Sequence, residues 1–76
     1  MIVFDKTDIA LINDLWAFLS VYGDGYSFDD ALSMESKKAL AGWLLYESEG
    51  HTELWKDLDI FQKAFWVSKG VVKYGI

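Results

Sequence analysis

Cysteine, proline and arginine are all missing from this chain, and histidine occurs once, at His51. Without cysteine there is no disulfide, thiolate nucleophile, zinc ribbon or iron–sulfur ligation, and such a composition fits a reducing compartment. Without arginine the chain lacks the planar fork that grips phosphate and base edges through paired hydrogen bonds. Together with a net charge of -5, this disfavours direct contact with nucleic acid. No serine stands in a G-x-S-x-G elbow and no glycine-rich phosphate loop is present. A lone histidine cannot build a zinc site without other nitrogen or sulfur ligands, so Glu47, Glu49, Glu53 and Asp57 around it read as solvated carboxylates. No segment approaches the roughly 18 apolar residues of a membrane span. Met1-Ile2-Val3-Phe4-Asp5-Lys6 has neither the basic start nor the long apolar run of a signal sequence. These absences predict a cytoplasmic, non-enzymatic protein without metal or cofactor, acting away from membranes and nucleic acid.

What the sequence has in excess is apolar and aromatic surface. Hydrophobic residues make up 53% of its 76 residues and aromatics 17%, which argues for one packed domain spanning 1–76 and against disorder. A domain of this size buries only about 60% of its unfolded surface. Four tryptophans, five phenylalanines and four tyrosines therefore exceed what so small an interior hides, and the surplus is expected in an interface.

Helical periodicity dominates the middle of the chain. A first helix is predicted over Asp8 to Tyr22, capped by Thr7 or Asp8 and stopped by Gly23 and Gly25. Its broad apolar side, formed by Ile9, Ile12, Trp16 and Leu19 beside Leu11, Leu15, Phe18 and Tyr22, should lie central to the core. A short turn follows through Leu32. Ser33 is expected to cap a helix from Met34 to Glu49, ended by Gly50, with Met34, Leu40, Ala41, Leu44 and Leu45 inward and Ala39, Trp43 and Tyr46 on a ridge pointing elsewhere. The last helix is predicted from Thr52 to Lys69 with Gly70 beyond it, its core stripe Leu54, Leu58, Phe61 and Phe65, unless a break falls at Leu58-Asp59. Ile2-Val3-Phe4 and Val71-Val72-Lys73-Tyr74 are β-branched and aromatic enough to pair as a short two-stranded ribbon. The predicted fold is mainly α, a three- to four-helix bundle with its termini joined in that ribbon.

One string resembles a known motif. Asp24-Gly25-Tyr26-Ser27-Phe28-Asp29-Asp30 is similar to the second half of an EF-hand calcium loop. The opening ligand places, however, fall on Ser20 and Tyr22, and the closing bidentate glutamate is missing. A glycine turn into a capped helix explains every residue of it.

Charge is unevenly distributed. Residues 1–36 carry seven carboxylates against Lys6 alone, whereas residues 37–76 carry six lysines against five carboxylates. An acidic patch of Asp24, Asp29, Asp30 and Glu35 is thus a candidate for docking a protein with a basic surface, set against its simpler role as a solubilising face. Trp43, Tyr46, Trp55 and Trp66 have the residue types of interface hot spots, set against ordinary core. The expected function is a non-catalytic, acidic protein-binding module. By profile alone it resembles phage-encoded anti-defence inhibitors that cover a functional surface of a larger, nucleic-acid-handling enzyme. The alternative is a homo-oligomeric structural or regulatory subunit, a homodimer joined through its aromatic rows.

Overall fold

The computed structural model describes residues 4–22, 28–34 and 36–76. Within them the chain forms four α-helices, α1 (Lys6–Tyr22), α2 (Phe28–Leu32), α3 (Lys37–Ser48) and α4 (Ile60–Tyr74), with a 3-10 turn at Trp55–Asp57 before the last. The molecule is mainly helical, and no strand occurs among the described residues.

The starts of α1, α3 and α4 each follow from a polar side chain that satisfies backbone N–H groups left free by the first turn. In α1 that residue is Asp5, not Thr7 or Asp8. Asp8 N–H donates to Asp5 Oδ1 at 2.9 Å and Asp5 N–H donates to Asp8 Oδ2 at 3.2 Å, a reciprocal capping box. For α3 the cap is Ser36, which accepts from Lys38 N–H at 3.2 Å. Ser33 instead closes α2, its hydroxyl donating to the Asp30 carbonyl at 2.7 Å, so the predicted start at Met34 gives way to Lys37. Gly50, at φ 74°, ends α3 as expected.

The largest departure lies in the last third of the chain. The break allowed for at Leu58-Asp59 is real: Leu58 is extended, and Asp59 caps α4 through a second capping box with Gln62, at 2.8 and 3.2 Å. The helix then runs through Gly70 to Tyr74, with Gly75 in the left-handed conformation at φ 67°. Val71 to Tyr74 are helical, so the terminal ribbon does not form; residues 1–3 lie outside the described part. Helical hydrogen bonding satisfies these backbone groups locally, whereas an isolated two-stranded ribbon is marginal.

Enclosure falls on α3, whose seven residues from Leu40 to Tyr46 are all buried. The same core takes in Leu11, Ile12, Leu15 and Leu19 of α1, Ala31 of α2, and Trp55 and Leu58 from the connection to α4. Such side chains contribute about 1.5–3 kcal/mol each when fully withdrawn from water. The closest approach is between α3 and α4. A Cβ placed on Gly42 would lie 2.7 Å from the Val67 Cα, and one on Gly70 would lie 2.6 Å from the Ala41 carbonyl carbon and oxygen. Gly70 is therefore a contact residue buried inside the helix rather than a stop signal beyond it.

Candidate functional site

The glycine contact decides which way α4 faces. At 3.6 residues per turn, Gly70 shares a side with Lys63, Trp66, Val67, Val71 and Tyr74. These residues are buried or half-buried, and Trp66, Val67 and Tyr74 pack on the core. The opposite side carries Phe61, Phe65, Ser68 and Val72, and it meets solvent. Phe61 and Val72 are each 83% exposed, Phe65 57% and Ile60, to one side, 76%. The predicted core stripe of Phe61 and Phe65 is thus outside the core, and α4 is enclosed on one side only.

Phe61 to Val72 makes an apolar stripe about 16 Å long. Along one edge stand Lys69 and Lys73, four residues apart and therefore stacked one above the other on the helix. The Lys69 ammonium lies 5.1 Å from the centre of the Phe65 ring and 4.9 Å from that of Trp66, and the Lys73 ammonium lies 5.7 Å from that of Tyr74. Ring faces attract cations, so these contacts hold the charges beside the stripe. Between this edge and α3 runs a shallow groove of about 500 Å³ lined by Leu45, Phe65, Ser68, Lys69, Val72 and Lys73. The other edge, Ile60 and Ala64, is uncharged and exposed.

Beneath the stripe lies an aromatic cluster. Tyr46 stacks on His51 with ring centres 4.4 Å apart and planes 7° from parallel, and meets Trp55 at 5.6 Å and Trp66 at 5.4 Å. Trp66 in turn meets His51 at 4.7 Å and Phe65 at 5.4 Å, both edge to face. The Tyr46 hydroxyl donates to the Glu53 carbonyl at 2.7 Å. Burial, with Glu53 and Glu47 nearby, pushes its pKa above the usual tyrosine value, and burial followed by Asp14 does the same for Tyr74. The cluster ties the loop after α3 to α4 and gives the outer side of α4 a firm base.

Of the sequence-predicted aromatic ridge, Trp43, Tyr46 and Trp55 are buried in the chain's own core and Trp66 is half-buried. Trp43, at 1% exposure, does not project away from the core. It is covered because α4, the 3-10 turn and α1 together surround α3, so a side chain off the main stripe still meets a neighbour. Trp43 and Trp55 also line a smaller cavity of about 190 Å³ with Asp30, Ser33, Met34, Lys56 and Lys63. Of the acidic residues, Asp29 is exposed on α2 and Asp30 is half-buried at that cavity, while Asp24 and Glu35 lie outside the described residues. Among the described residues, no three histidine, aspartate or glutamate side chains gather in a way that could hold a metal ion. No described helix is long and apolar enough to cross a membrane.

Sequence reasoning missed Phe61, Phe65, Val72, Lys69 and Lys73 as a surface. The signal was present in the small residues Ala41-Gly42 and Gly70, which permit backbone-to-backbone contact and so fix the inward side of α4. The chain matches no protein-family model, no curated protein and no solved structure.

Proposed function

We propose that this protein works by binding another protein, without chemistry of its own, through the solvent side of α4. The observation that supports this reading is the stripe itself. Four large apolar side chains, Ile60, Phe61, Phe65 and Val72, are exposed on one helix that is already firmly seated by its other side. Contiguous apolar surface of this kind, edged by charge, is the usual mark of a docking surface. Aromatic side chains supply much contact area for little lost rotamer freedom, which makes Phe61 and Phe65 natural anchors. Small size and a carboxylate-rich first half suit an inhibitor that covers a functional surface of a larger enzyme. The exposed Asp29 offers a second contact to any basic part of that surface.

The test is photocrosslinking in the source cell with benzoylphenylalanine in place of Phe65, followed by mass spectrometry of the adducts. One dominant foreign protein, whose activity falls when the purified chain is added, is the expected result. Adducts only between copies of the chain would replace this reading with the homo-oligomeric one. The absence of any dominant adduct would remove the α4 surface from consideration.

A further inference from the structure

We infer that the occupant of the α4 surface is an acidic amphipathic helix, with an apolar row facing Phe61, Phe65 and Val72 and two carboxylates four residues apart facing Lys69 and Lys73. This inference rests on the protein-binding reading above and adds the chemistry of the partner. The first ground is charge. From Ile60 to Ile76 the chain has three lysines and no carboxylate, so nothing on α4 itself neutralises the edge of the stripe. The second is arrangement. Lys69 and Lys73 stand one helical turn apart on a single edge, and the other edge is uncharged, which matches the i, i+4 spacing of a partner helix lying alongside. The third is preorganisation. Lys69 is already held over two rings, so less side-chain freedom is lost when a carboxylate arrives.

A second copy of this chain does not supply that helix. Its only carboxylates four residues apart are Glu49 with Glu53 and Glu53 with Asp57, and these lie between α3 and α4 in the loop and 3-10 turn. Pairing α4 with α4 would bring no aspartate or glutamate to Lys69 and Lys73, because the helix has none. A lipid surface fits less well, because interfacial helices carry basic residues across a broad polar face rather than along one edge.

The experiment is selection from a displayed library of helix-forming peptides of about 14 residues, roughly 21 Å when helical, against the immobilised full chain. Peptides with an apolar row and aspartate or glutamate at i, i+4 should be enriched. Their affinity should fall about tenfold or more for the Lys69→Glu/Lys73→Glu protein, and lysine at the same peptide positions should restore binding to that protein. Enriched peptides that lack the acidic pair, yet fail to bind Phe61→Ser/Phe65→Ser protein, would overturn the acidic partner while leaving the docking surface in place. Enrichment no better than on the serine variant, or tight binding to anionic phosphatidylglycerol vesicles instead, would overturn both. Circular dichroism of each variant confirms that the helices are intact before binding is compared.

Discussion

Trp43 is buried in its own chain's core at 1% exposure, so its removal tests packing. Trp43→Ala should destabilise the fold by about 3–5 kcal/mol, read from urea unfolding, because a cavity replaces the indole. Gly70→Ala should also destabilise, by roughly 1–3 kcal/mol, although alanine is the better helix former by about 1 kcal/mol. The atoms its methyl group meets at 2.6 Å belong to the Ala41 backbone and cannot rotate away, so the helices must part. Tyr46 and Tyr74 give a pH prediction. Their folded pKa values are raised above the 10.0 of an unperturbed tyrosine. Their contribution to stability is therefore complete below pH 10 and is lost as pH rises through the raised values. Alkaline unfolding followed by tyrosinate absorbance should show this, and Tyr46→Phe and Tyr74→Phe should each flatten the loss. Trp43 was recognised as important, but its environment depends on neighbours distant in sequence, and Gly70 is ambiguous because a glycine ends helices and permits close contacts equally well.

The helices show where local pattern is reliable and where it misleads. α1 and α3 lie close to where periodicity puts them, because that signal acts within a turn or two of chain. In contrast, α4 starts at Ile60 rather than near Thr52 and runs on to Tyr74, and the caps are Asp5, Ser36 and Asp59 rather than Thr7 or Asp8, Ser33 and Thr52. The side that α4 turns inward was misread for a physical reason. That side sets Lys63 and Gly70 among Trp66, Val67 and Tyr74, which interrupts its apolar pattern, whereas the outer side displays Phe61, Phe65 and Val72 at helical spacing. Burial there comes from Trp66, Val67 and Tyr74 together with the close backbone contact at Gly70, and hydrophobicity alone cannot see the latter. Two outcomes follow. Phe61→Ser and Val72→Ser should each change stability by no more than about 0.5 kcal/mol, as exposed substitutions do. Asp59→Ala, which removes the capping box that starts the helix, should cost about 1 kcal/mol by the same unfolding measurement.

The molecule as a whole has a radius of gyration of 11.3 Å, against about 11.4 Å for a compact chain of this length. Along the chain the charge is uneven. The carboxylate-rich first half reaches the exposed Asp29, while α4 carries lysines without a single carboxylate. This polarity was legible in the sequence as the split at residue 36, but not where each pole lies. Reversing Asp29 and Asp30 to lysine should weaken capture of the crosslinked partner mainly at low salt, if the acidic pole steers encounter, since screening removes such attraction beyond a Debye length of about 8 Å at physiological ionic strength. Equal binding by parent and variant at every salt concentration would exclude the acidic pole from recognition.

The contact of Gly42 and Gly70 has one more consequence. Because α4 is seated through Gly70 and the inward Trp66, Val67 and Tyr74, little of what stands on its outer side is committed to holding the fold. The protein is thus a mounting on which recognition can be rewritten. Residues 61, 65, 68, 69, 72 and 73 are open to exchange as a set, and retargeting by drift or by laboratory evolution would be limited by the partner far more than by folding.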